Sequence, residues 1–125
     1  TRNDYEPDIC YFGRDKADHF TPGQMRFPAP DLVVEVLSES TAAIDRGVKY
    51  DDYAAHGVAE YWIVDPEAQS VEQYTLAGDV YTLAVKAQTG ELRSLALPGF
   101  VIPVRAVFDD EINQSTLRQL LGENV

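Results

Sequence analysis

The chain of 125 residues holds one cysteine, Cys10, and two histidines, His19 and His56. A lone cysteine excludes an internal disulfide and any multi-cysteine zinc site. The two histidines lie far apart and make no cluster. No apolar run approaches the roughly 20 residues that span a bilayer, so no membrane partner is expected. The opening residues, TRNDYEPDIC, lack an apolar secretory core, and a reducing cytoplasm is the expected compartment. Positive charge is also scarce: 10 Lys and Arg against 21 Asp and Glu give a net charge of −11. The basic residues are scattered, never gathered into a run. That balance argues against a non-specific nucleic-acid binder, which presents a basic face to the phosphate backbone.

What is present is a hydrophobic fraction of 45%, ordinary for a globular domain, and a length that one domain can use to bury a core. No repeat, low-complexity tract or linker divides residues 1–125. Residues 8–12 read as a short strand, and 13–30 as a loop punctuated by Gly and Pro. The run LVVEVL over 32–37 fits a strand buried on both faces. Ser38, Ser40 and Thr41 offer N-caps for a helix over 41–56, which Gly57 should end. On that helix Ile44, Val48 and Ala55 form the expected buried stripe, with Lys49 on its flank. A strand over 61–64 stops at Asp65-Pro66. Two strands over 71–76 and 80–85 flank Ala77-Gly78-Asp79, a hairpin signal. Residues 95–104 suit an edge strand because Pro98 and Pro103 cannot donate ladder hydrogen bonds. Asp109 or Asp110 can cap a last helix to residue 121, with Ile112, Leu117, Leu120 and Leu121 as its apolar side.

One residue stands out against this pattern. Glu35 sits between Val34 and Val36 in an apolar strand, and an ionised carboxylate removed from water must be paired, hydrogen-bonded or bound to metal. A second acid, Asp8, stands at the mouth of the first strand. Two carboxylates on neighbouring strands can hold a hard divalent cation such as magnesium, which prefers oxygen ligands. Such an ion polarises a phosphodiester and helps deprotonate an attacking water. A nearby ammonium steadies charge developing on the phosphoryl oxygens, and Lys49 can reach the sheet end by running its methylenes over the core. Plainer readings stand beside each role. Asp8 after Pro7 can simply open a strand, as Asp31 can after Pro30. Glu35 can face solvent on a half-exposed strand, and Lys49 can pair with Asp45 at i,i+4 spacing on a helix surface. Tyr50, Tyr53, Tyr61 and Trp62 read as packing residues, and Cys10 as a small buried side chain.

The segments EPDIC, APDLVVEVLSEST and DRGVKYDDYAAHGVAEYWIVDPE, in that order and spacing, closely resemble the Uma family of candidate restriction endonucleases. That family is assigned to the PD-(D/E)xK nuclease superfamily. The resemblance runs from Glu6 to Glu67, and more loosely through LPGFVIPV to Phe108. It implies an α/β (α+β mixed-sheet) fold with a restriction-endonuclease-like core. Pro7-Asp8 is similar to the superfamily's PD, which makes Asp8 a metal ligand. Glu35 corresponds to the acid of (D/E)xK, with the carbonyl of Val36 as a further ligand. Where the third position of that element should be lysine, this chain has Leu37, and Lys49 on the following helix matches the family's displaced lysine. The superfamily core opens with a helix and a first strand, whereas this sequence enters near the second strand, as a shortened form would.

The resemblance therefore implies an endonuclease dependent on Mg2+ (or Mn2+), hydrolysing DNA phosphodiesters with an activated water. Asp8, Glu35 and Lys49 are the expected catalytic residues, and Asp8, Glu35 and Val36 the metal ligands. The alternative is a non-catalytic nuclease-fold module binding protein or nucleic acid, which the acidity favours, or a structural domain of a larger assembly. Unpaired sheet edges lead to the further expectation of a homodimer.

Overall fold

The computed structural model describes residues 9–22, 29–39 and 46–122. Among these, five strands form one mixed sheet: β1 (Ile9–Tyr11), β2 (Leu32–Val36), β3 (Glu60–Asp65), β4 (Ser70–Ala77) and β5 (Val80–Ala87), side by side in that order. Only β2 and β3 run parallel; the other neighbours are antiparallel. Parallel strands need a crossover, and helix α2 (Val48–Ala55) lies within it. A short helix α1 (Arg14–Ala17) interrupts the stretch expected to be loop. Two further short strands, β6 (Glu91–Arg93) and β7 (Val101–Pro103), pair with each other apart from the main sheet. The chain closes with α3 (Arg105–Phe108) and α4 (Asp110–Leu120).

Alternation along the strands divides the core in two. One face gathers Leu32, Val34, Trp62, Val64 and Val71 with Leu92 of β6 and Val104 just after β7. The other gathers Val33, Tyr61, Ile63 and Tyr81 under Tyr53, Ala54 and Val58. Burying each Val or Ile contributes about 1.5–3 kcal/mol, so β2 and β3, covered on both sides, anchor the fold.

Helix α2 ends where the sequence places its end. Gly57 takes φ +80°, and the Val58 N–H reaches back to the Tyr53 carbonyl at 3.0 Å, the return bond of a left-handed C-terminal turn. Its buried side differs from the expected stripe. Ile44 lies outside the described residues, and Val48 and Ala55 are exposed, while Tyr53 and Ala54 are buried. The helix packs on a tyrosine layer, Tyr50 meeting Tyr74 and Tyr81 edge-on with ring centres 5.1 and 5.2 Å apart. Aromatic rings, not aliphatic stripes, set its rotation.

Three other expectations are corrected. Residues 95–100 form turns instead of strand, with Gly99 at φ +81°, because Pro98 breaks the ladder before β7 begins. The last helix is capped as expected, Asp109 Oδ1 accepting from Ile112 N at 3.0 Å, but Thr116 is its buried residue while Leu117, Leu120 and Leu121 are exposed. Cys10 is exposed, since β1 is a three-residue edge strand with β2 as its one described neighbour.

Candidate active site

Register brings three side chains together on the α2 side of the sheet. Glu35 is the β2 partner of Ile63, and Ile63 is the β3 partner of Glu72. Residues partnered across strands share a face, so the two glutamates flank Ile63 two strand spacings apart, roughly 10 Å. Both are buried, Glu35 to 1% and Glu72 to 3% exposure. Each meets a cation delivered by the segment that opens α2. Lys49 Nζ donates to Glu35 Oε2 in an ion pair that is itself largely shielded from solvent. Arg46 Nη1 donates to Glu72 Oε1 at 2.8 Å and lies 2.6 Å from Oε2. Tyr74 donates its hydroxyl proton to the same Glu72 carboxylate.

The electrostatics follow from this pairing. Burial alone would lower the Arg46 pKa, but the hydrogen bond to Glu72 and the charges of Glu72, Tyr74 and Asp65 outweigh it and raise it. Burial, then the hydrogen bond and charge of Glu72, push the Tyr74 hydroxyl well above its ordinary value. Tyr81 is pushed the same way, by burial and by Tyr50.

Of the residues singled out in the sequence, Glu35 is neither solvent-facing nor alone, and Lys49 turns its amine into the sheet toward it. Val36 follows Glu35 at the exposed end of β2, with 42% of its surface open. Asp8 and Asp45 lie outside the described residues. Asp31 serves as a brace: its Oδ2 accepts from Gly13 N at 2.5 Å, and Lys16 Nζ sits 3.0 Å from its Oδ1. Among the described residues no group of three or more His, Cys, Asp or Glu is close enough to hold a metal ion.

Sequence reasoning missed Glu72, Arg46 and a third buried acid, Glu60. The signal was alternation: Glu60 keeps step with Trp62 and Val64, as Glu72 does with Tyr74 and Leu76. An acid in phase with an apolar face is buried. Glu60 lies on the opposite face from Glu35. Its Oε1 accepts from Ser94 Oγ at 2.9 Å, Leu95 N at 3.0 Å and Ala96 N at 2.8 Å. Its Oε2 accepts from Trp62 Nε1 at 2.5 Å and Gln73 Nε2 at 2.8 Å.

A family model described as "Putative restriction endonuclease", Uma2, matches residues 1–105. The chain belongs to the Uma2 family. Among solved structures it is similar to "a putative nuclease belonging to DUF820" from Anabaena variabilis, with TM-score 0.65 and 18% identity over 83% of this chain. At that identity the likeness establishes the fold, which is restriction-endonuclease-like. The Uma2 chain described here spans 59% of the length of that nuclease. No curated protein matches it by sequence. Among the described residues, no helix is long and apolar enough to cross a membrane.

Proposed function

We propose that this Uma2 protein is an endonuclease of the PD-(D/E)xK type that hydrolyses DNA phosphodiester bonds with Mg2+ (or Mn2+) and an activated water. The observation that carries this reading is the buried Glu35 carboxylate facing the Lys49 ammonium. A fully buried strand acid matched by a cation on the crossover helix is what the family assignment leads one to seek. Asp8 joins the proposal through the resemblance of Pro7-Asp8 to the superfamily's PD element.

The donor set suits a hard cation. Glu35 and Asp8 bring carboxylate oxygens and Val36 a backbone carbonyl, and magnesium or manganese takes such ligands with water completing the shell. When bound, the ion supplies Lewis-acid polarisation of the phosphodiester and acidifies water. The chain's own residues do the rest. Lys49 carries its positive charge on a flexible stem and can turn from the Glu35 carboxylate to the phosphoryl oxygens as negative charge builds on them. The surrounding Val33, Tyr61 and Ile63 keep water out and the local dielectric low, which strengthens that charge–charge contact.

Supercoiled-plasmid nicking by the full-length protein, with Mg2+ and with chelator, tests the reading. Glu35→Gln keeps the shape and removes the charge, so nicking should vanish while the fold survives. The non-catalytic alternative is favoured by one observation, the net charge of −11, which repels a polyanion. Calorimetric titration with Mg2+ separates the two: absence of binding at millimolar concentrations would leave the binding-module reading standing.

We also propose a homodimer. β1 and β5 are the outer strands among those described, and Val80 and Leu83 on β5 are exposed at 58% and 52%. Strand edges with apolar side chains invite pairing. Light scattering at several salt concentrations should give twice the monomer mass. A monomer throughout the micromolar range would sink the idea.

A further inference from the structure

We infer that Arg46 and Glu72 are a positioning pair that holds the start of α2 so that the Lys49 amine meets Glu35; as a role in catalysis, this rests on the nuclease reading. An ion pair with both groups on the surface holds little, but here the acid is buried and only the Arg46 side reaches solvent. Glu72 is 3% exposed, and its carboxylate takes two contacts from the Arg46 guanidinium and the hydroxyl of Tyr74. A buried acid of that kind is costly unless its partner stays in place. The cost fixes the partner.

What it fixes is the start of α2. The residue before α2 is Gly47, and no side chain caps the helix there. Arg46 precedes that glycine, and Lys49 follows three residues after Arg46, close to one turn of helix. One tie goes to β4 through Glu72 and the other to β2 through Glu35, with Ile63 of β3 between them. The tyrosine layer sets the rotation of the helix body, and two anchors on either side of one strand hold its first turn in place. Losing one would let that turn shift locally, and the long Lys49 side chain would amplify the shift at its amine. Arg46 also stands 4.0 Å from Asp65 Oδ2 at the end of β3, which adds a third point of reference. Arg46 and Glu72 therefore act through Lys49, without touching substrate.

The experiment reads Lys49 directly. The sequence has three lysines, Lys16, Lys49 and Lys86, so the side-chain ammonium signal of Lys49 can be assigned by NMR with one Lys49→Arg control. In Arg46→Gln and Glu72→Gln the backbone amide spectrum should persist beyond the immediate neighbours, while the Lys49 ammonium signal shifts or is lost to exchange. Plasmid-nicking turnover should fall roughly 10- to 100-fold, the scale for misplacing a reacting group by about an ångström, with KM unchanged. Arg46→Lys should restore part of it. Arg46→Gln, at an exposed position, keeps the test decisive if Glu72→Gln does not fold. An unmoved Lys49 signal in folded Arg46→Gln overturns the inference. A rise in KM at constant turnover also overturns it, by making Arg46 a substrate contact. If the unaltered protein does not nick DNA, the nuclease reading fails, and the Lys49 signal alone still decides whether the pair positions it.

Discussion

Glu60 and Glu35 stand on adjacent strands, both 1% exposed, yet on opposite faces of the sheet they are satisfied in different ways. Glu60 is enclosed by five donors, two of them backbone amides and the others from Trp62, Gln73 and Ser94. Those donors are fixed in the sheet and in the turn after β6, and none can leave without unfolding something. Glu35 faces an ammonium at the end of a four-carbon stem. The difference separates two uses of a buried carboxylate. A carboxylate saturated by rigid neutral donors staples structure. One matched by a movable charge keeps a partner that can be lent to a substrate.

The largest expected effect breaks the comparison on the Glu35 side. Glu35→Gln should cut plasmid nicking by at least about 100-fold, the usual scale for losing a group that acts on the reacting centre, with a small change in urea midpoint. Lys49→Ala should also abolish nicking, but it strands a buried carboxylate and should cost about 3 kcal/mol of stability. Glu60 should behave inversely. Glu60→Ala leaves buried donors without an acceptor and should lower unfolding free energy by on the order of 3 kcal/mol, measured by urea titration, while nicking per folded molecule stays unchanged. If Glu60→Ala abolished activity at full stability, the division of labour would be wrong.

The smallest effect is a matter of pH. Tyr74 and Tyr81 lie on the Glu35 side, and both hydroxyls are raised above the ordinary value of 10.0, by burial first and then by Glu72 for Tyr74 and Tyr50 for Tyr81. The native state keeps these protons longer than the unfolded chain does. Stability should therefore be level below about pH 10 and fall as pH rises above it. Tyr81→Phe should flatten the alkaline limb in thermal melts, whereas Glu60→Ala should shift the whole curve without changing its slope there.

Much of the frame was legible because its signals are local. The largely apolar run of β2, the hairpin around Gly78 and Asp79, the Gly57 stop and the Asp109 cap each depend on a few neighbouring residues. Glu35 was legible for the same reason, as an acid between valines. The tilt of α2 was not, because its rotation is decided by tyrosines from β3, β4 and β5 that are distant in sequence. Arg46 and Glu72 were missed likewise: 26 residues separate them, and although Glu72 keeps step with Tyr74 and Leu76, nothing local ties it to Arg46. The exposed leucines of α4 show the opposite case: a helical apolar pattern need not be a buried one, since Thr116 faces inward.

The β2–β3 register carries one consequence for how such a chain can evolve. Side chains change face with every residue along a strand. Deleting or inserting a single residue between Asp31 and Glu35 would send the acid to the Trp62 side, where Glu60 already occupies the available donors and no crossover helix delivers a lysine. The strand can lengthen or shorten there only by twos. Length variation among functional descendants should therefore be even along β2, and free of that parity in the turns.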